Sequence, residues 1–145
     1  MAAEICIFCK IVAGEIPCVR VYEDAEVLAF MDIGPVVKGH TLVIPKAHYD
    51  PITSTPVAVL QQLIAVVQRI AAAQYAGLQA DGVNVTQANG RAAGQMVPHL
   101  HFHVIPRFDS DGQRSNWNPR QYDAPEELQQ HAQRIVEAMG KNKVV

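Results

Sequence analysis

The chain carries little excess of either charge. Twelve Lys and Arg residues face fourteen Asp and Glu, a formal net charge of −2, and no basic run forms a local patch, so the electrostatic footprint of a nucleic-acid-polymer binder is missing. Cysteine is scarce too. Cys6, Cys9 and Cys18 are too few for a disulfide scaffold; the two-residue gap between Cys6 and Cys9 suits a metal or redox site, and Cys18 reads as a free core thiol. Charged residues or Gln interrupt the apolar runs well short of the roughly 20 residues a membrane span needs. The opening Met1-Ala2-Ala3-Glu4 lacks the basic-then-apolar order of a signal peptide. These absences lead us to expect a cytoplasmic protein with neither a membrane nor a nucleic-acid polymer as partner. Repeats and low-complexity segments are absent as well. A chain of 145 residues, 49% hydrophobic, suffices for one core and is short for two, so a single domain over 1–145 is expected.

Along the chain, Cys6 to Ala13 is a short apolar segment of one or two helical turns, stopped by Gly14. Val19–Glu23 and Glu26–Asp32 alternate as two strands around a turn at Asp24, and His40–Ile44 is a β-branched third strand halted by Pro45. Thr55-Pro56 resembles a helix start, with the hydroxyl as N-cap and proline at the first helical position. From there Leu60, Leu63, Ile64, Val67, Ile70 and Ala71 recur at helical spacing, with Gly77 as the expected stop. Val83–Gln87 reads as a fourth strand and Val97–Ile105 as a fifth, ended by Pro106. The polar stretch 107–125, which holds the only Trp, Trp117, leads into a terminal helix over Glu126–Met139. Hairpin-linked strands with one long helix between the third and fourth predict an α+β fold with a five-stranded antiparallel sheet.

The fifth strand carries His99-Leu100-His101-Phe102-His103. Strand alternation puts the three imidazoles on one face, about 7 Å apart, and Leu100, Phe102 and Val104 on the other, toward the core. Two chemistries fit such a row. Neutral imidazoles hold a zinc with an open water position, or one imidazole attacks an electrophile while its neighbours position it and move protons. The small-residue loop Gly90-Arg91-Ala92-Ala93-Gly94 enters this strand and lets backbone N–H groups approach an anion, for which phosphate is the natural candidate.

The segment from Gly94 to Ile105, Gly94-Gln95-Met96-Val97-Pro98-His99-Leu100-His101-Phe102-His103-Val104-Ile105, resembles the His-φ-His-φ-His-φ-φ signature of the histidine triad (HIT) family, φ being apolar. Leu28 through Pro35 with Gly39 through Lys46 is similar to that family's nucleotide-pocket segment, and Cys6-Ile7-Phe8-Cys9-Lys10-Ile11 with Glu15-Ile16-Pro17 to its N-terminal segment. Together these cover about residues 4–108, with 109–145 a C-terminal extension carrying the last helix.

The resemblance is to the Hint-like and Fhit-like branches, in a bacterial-type form. It implies a homodimer whose two sheets join into one. It also implies a hydrolase or nucleotidyl transferase that cleaves a purine nucleoside phosphoramidate or dinucleoside polyphosphate, without a catalytic cofactor, through a nucleotidyl-histidine intermediate. A nucleotide sensor or partner-binding module with slow turnover is the alternative. By position His101 is the nucleophile, His103 contacts the phosphate or leaving group, and His40 fixes the imidazole arrangement. Asp32 takes the ribose hydroxyls, and Ile7, Phe8, Ile11 and Ile33 line the base pocket. Gln95 and the backbone around Gly94 and Met96 hold the phosphate. Two positions depart from the pattern. Met96 stands where Ser or Thr assists the leaving group, and Ala88 where an Asn or Gln touches phosphate, which leaves Gln87 or Asn89 for that contact. With His40, His101 and His103 given to chemistry, Cys6 and Cys9 have His48 and His99 as partners for a structural zinc.

Overall fold

The computed structural model describes residues 5–113 and 119–141; Glu4 and Trp117 lie outside them. Helix α1 (Ile7–Val12) is followed by β1 (Arg20–Glu23), β2 (Val27–Met31), β3 (Thr41–Pro45), the long α2 (Val57–Leu78), β4 (Gly82–Gln87), β5 (Phe102–Arg107) and α3 (Pro125–Lys141). The strands form one five-stranded sheet in the order β1-β2-β3-β5-β4, antiparallel at every junction. This is the expected α+β architecture, with one long helix and a C-terminal helix.

The sheet is buried on both faces where β2 and β3, mostly apolar, are buried at every position, and the strand period of two sorts their side chains. Val27, Ala29, Met31, Val43 and Val104 face α2 and α3, where Leu63, Val67, Ile70 and Ile135 complete the main core. Leu28, Phe30, Leu42 and Ile44 face the other way and pack with Phe8 and Ile11 of α1. Each Val, Leu, Ile, Phe or Met side chain among them, fully buried, contributes about 1.5–3 kcal/mol. By length and composition alone α2 is apolar enough to cross a membrane, which the interrupted apolar runs did not anticipate; here Leu63, Val66, Val67 and Ile70 are its buried face.

Several boundaries differ from expectation. Thr55 is not the N-cap of α2: its hydroxyl donates to the Pro51 carbonyl, Pro56 occupies the cap position, and the helix begins at Val57. Nor does Gly77 end it. The helix runs to Leu78 and closes on Gln79 in the left-handed region (φ 57°), while Gly77 is where α3 crosses so closely that a Cβ would collide with the Arg134 carbonyl.

The most consequential difference is β5, which starts at Phe102 rather than Val97 and runs through Pro106 to Arg107. Its pairing with β3 joins Val43 to Phe102 and Thr41 to Val104. Pro106 lies beyond that ladder, so its missing N–H costs nothing on that side. Upstream of Phe102 the partner would be the end of β3, where Pro45 has no N–H to offer. The chain leaves the sheet there, and Leu100 N–H donates to the Tyr49 carbonyl instead (2.7 Å).

Candidate functional site

Because only His103 lies within β5, the three histidines do not form a uniform row. The rings of His101 and His103 approach to 4.9 Å, edge to face, closer than the spacing of a regular strand. His99 is fully buried and turned toward α1 and His48. The triad therefore divides between two centres.

In the first centre the backbone dictates each tautomer. The Val36 N–H donates to His40 Nδ1 (3.1 Å), so the proton of neutral His40 resides on Nε2, which donates to His103 Nδ1 (2.8 Å). His103 then carries its own proton on Nε2. His101 is set the opposite way. Its Nδ1–H donates to the His99 carbonyl (2.7 Å), leaving Nε2 with a free lone pair. Burial holds all three neutral: it is the main cause of a pKa of about 3 for His40, with His103 and His101 adding to it. The same cause gives about 4 for His103, with a further contribution from His101. For His101 burial lowers the pKa while the bond to His99 and the Asp50 carboxylate oppose it. Asp32, raised by burial against the Gly34 N–H bond, lies 3.6 Å from His40 Nε2. Asp32, His40 and His103 are close enough to suggest a metal cluster, but the proton on His40 Nε2 removes it as a ligand.

His101 and His103 open onto a cleft of about 320 Å³ with largely apolar walls. Of the expected nucleotide-binding residues, Ile7, Phe8, Ile11, Asp32, Ile33, Gly94, Met96 and His103 line it. Ile33 and Met96 stand at its rim, 79% and 89% exposed. Asn89 and Gln95 do not line it. Gln95 is buried and accepts from the Gly90 N–H (2.6 Å) while donating to Asp50 (2.8 Å) and the Val97 carbonyl (2.9 Å). Asn89 accepts from the Ile52 N–H (2.8 Å) and pairs its amide with Gln87. Gln95 braces the glycine loop, and Asn89 ties the end of β4 to the segment at Ile52. Ile16, Pro17, Cys18, Phe30, Leu42 and Val97 also line the cleft and were missed. All of them except Cys18 lie within the segments that resemble the family, where their apolar character alone gave no pocket role.

The second centre gathers Cys6, Cys9, His48 and His99, whose donor atoms all lie within 4.8 Å of one another. His99 Nε2–H donates to the Pro45 carbonyl (2.9 Å), which turns its Nδ1 lone pair toward Cys6 Sγ (3.4 Å) and Cys9 Sγ (3.6 Å). His48 Nδ1 lies 3.3 Å from Cys9 Sγ. A tetrahedral ion with metal–sulfur and metal–nitrogen bonds of ordinary zinc length places its ligands ~3.3–3.8 Å apart, which these separations match. The outer hydrogen bond from His99 to a backbone carbonyl is also what ligating imidazoles make. Burial, and then Cys6 beside it, push the Cys9 thiol up to about 11; a cation would reverse that. These four residues can hold a metal.

Residues 13–110 match the HIT domain. The chain belongs to the HIT family. Among HIT relatives it is 51% identical over 108 residues to an uncharacterized HIT-like protein of Methanocaldococcus jannaschii, covering 74% of this chain and 83% of that one. It is 42% identical over 124 residues to the adenosine 5′-monophosphoramidase of Schizosaccharomyces pombe, covering 85% and 90%. The crystal structure of a Zn-bound histidine triad family protein from Mycobacterium smegmatis is 38% identical with a TM-score of 0.84, covering 97% of this chain and 96% of that one. The matched span holds His40, His48, His99, His101 and His103, while Cys6 and Cys9 precede it.

Proposed function

We propose that this HIT protein is a cytoplasmic, nucleotide-binding hydrolase or nucleotidyl transferase that cleaves a purine nucleoside phosphoramidate or dinucleoside polyphosphate through a nucleotidyl-His101 intermediate. The observation that carries the reading is the opposed tautomers of two touching imidazoles. His101 offers a lone pair and His103 an N–H, both at the mouth of an apolar cleft with a carboxylate, Asp32, on its wall. The monophosphoramidase relative supports the same class of chemistry.

The cleft takes the base, and Asp32 accepts from the ribose hydroxyls. The anionic phosphate favours uptake of one proton by His103. His101 Nε2, within about 3–3.5 Å of phosphorus, attacks it. A bond from Nε2 to phosphorus forms as the bond to the leaving group breaks, and the leaving atom takes the proton from His103. The charge that develops on the His101 ring is shared through Nδ1–H with the His99 carbonyl. Water then attacks phosphorus, the bond to Nε2 breaks, and the water proton returns to His103. General acid–base assistance of this kind contributes roughly 10²- to 10⁴-fold per transfer.

We further propose that Cys6, Cys9, His48 and His99 hold a structural zinc; the Zn-bound relative supports this choice of metal. When bound it would tie α1 to the loops carrying His48 and His99. The third element of the reading is a homodimer.

Quenched mass spectrometry tests the intermediate. Wild type mixed with an adenosine phosphoramidate should show a nucleotidyl adduct on His101. His101→Ala should lose turnover by ~10³-fold or more while retaining nucleotide binding. Full rate in His101→Ala would overturn the assignment.

A further inference from the structure

The loop from Pro35 to Gly39, which sets the tautomer of His40, is held from outside the HIT domain. The match to that domain spans residues 13–110, and the groups that grip this loop lie beyond it. The Arg120 N–H donates to the Pro35 carbonyl (2.7 Å), and Gln113 Nε2 donates to the Val36 carbonyl (2.7 Å). Lys38 Nζ meets Asp123 and Glu127, both at 3.0 Å, and the Gly39 N–H donates to the Tyr122 hydroxyl (2.7 Å). We infer that this C-terminal segment is a tautomer lock. By fixing the Pro35–Val36 peptide it keeps the proton of His40 on Nε2, and so leaves His103 able to donate from its own Nε2; Gln113 is its positioning side chain. The inference rests on the reading of His103 as proton donor and deepens it.

One peptide group joins the segment to the histidines. On one side its carbonyl, that of Pro35, accepts from Arg120; on the other its amide, the Val36 N–H, donates to His40 Nδ1 (3.1 Å). Hydrogen bonds in line through a peptide polarise and strengthen one another. The series continues from His40 Nε2–H to His103 Nδ1 (2.8 Å), so every group in it donates in the same direction. The partner of one ring nitrogen decides where a neutral imidazole keeps its proton. Were the peptide to turn over, the Pro35 carbonyl would face His40 Nδ1 and draw the proton there. His40 Nε2 would then accept, and His103 would hold its proton on Nδ1. Its Nε2 would be left with a lone pair and nothing to give a leaving atom.

The lock is itself anchored to the strand that carries His103. Arg107, the last residue of β5, donates to the Gln113 carbonyl (2.7 Å) and to Asp111 (2.8 Å), and Asp111 in turn takes the Gln113 N–H (2.9 Å). Gln113 is buried. Its amide is therefore held in place against Val36, and the peptide that points at His40 is referenced to the same strand as the ring that receives the proton.

Nitrogen NMR of the histidine rings reads the tautomers without substrate, and two substrates read the proton. Adenosine 5′-phosphoramidate needs a proton on its leaving nitrogen, whereas adenosine 5′-(4-nitrophenyl phosphate) releases a phenolate that needs none. Wild type should hold His40 as the Nε2–H tautomer. Gln113→Leu, which removes the side-chain donor, and Arg120→Pro, which removes the Arg120 N–H, should each populate the Nδ1–H form. In both variants adduct formation from the phosphoramidate should slow about tenfold or more, while the nitrophenolate burst changes by less than about twofold. A His40 tautomer unchanged in both folded variants, or an equal loss on the two substrates, overturns the lock. A wild type that forms no adduct on His101 overturns the nucleophile reading instead, and the ring spectra then decide the lock by themselves.

Discussion

His101 donates its Nδ1 proton to the carbonyl of His99 at 2.7 Å, two residues earlier in the chain, and this bond links the two centres of the molecule. The ring of His99 belongs to the Cys6–Cys9–His48 cluster while its main chain orients His101. Phe8, on α1 between the two cysteines, lies edge-on to both rings, 5.8 Å from His99 and 5.2 Å from His101. The helix beside two of the metal-binding candidates therefore also walls the apolar cleft and packs against the His101 imidazole.

Stability should depend on pH through His40 and His103. Their folded pKa values, about 3 and about 4, lie below the ordinary value of 6.5, so below that value the unfolded chain binds more protons than the folded one. Their contribution is complete above pH ~6.5 and is lost as pH falls toward 4 and then 3. Denaturant titrations between pH 7 and pH 4 should show a loss on the order of a few kcal/mol, and His40→Gln should flatten the slope. A stability independent of pH over this interval would show that these rings are not buried neutral.

Gln95 should behave as a positioning residue. Its side chain joins Gly90, Asp50 and Val97, so Gln95→Leu leaves buried polar groups unpaired at about 1–3 kcal/mol. Displacement of the glycine loop should lower kcat about 10- to 100-fold, with the adduct still forming on His101. Unaltered kinetics would remove Gln95 from the phosphate-holding machinery.

Metal content tests the cysteine–histidine cluster. Protein purified without chelator should carry close to one zinc per chain, and Cys6→Ser should abolish it and lower Tm. Chelation that leaves the chain folded should not prevent nucleotidylation if, as proposed, His101 rather than the metal meets phosphorus. Less than a tenth of an equivalent of zinc would exclude the structural site.

The homodimer is expected because β4 is an edge strand whose Val85 is 44% exposed, and α2 presents Ile64 and Tyr75 to solvent. An unpaired edge beside apolar surface calls for a partner. Light scattering at micromolar concentration should give about twice the 15.9 kDa chain mass; the single-chain mass would contradict this.

The order of elements, the apolar centre of the sheet and the chemically active residue types were all legible along the chain, because hydrophobic period and turn residues are local properties. The Cys6/Cys9 spacing pointed to a metal or redox site, and the His101/His103 alternation to chemistry, before any contact was known. Three-dimensional packing decided which cluster each histidine joins. The end of β3 at Pro45 lets the chain leave the sheet before Phe102, which frees His99 to turn into the cysteine cluster, a consequence of pairing between segments more than 50 residues apart. Tautomers were equally out of reach, since the proton on each ring follows from distant partners: Val36 N–H for His40, and through it His103. The same holds for Asn89 and Gln95, whose amides looked free to hold phosphate but are drawn inward by buried backbone groups that no local pattern reveals.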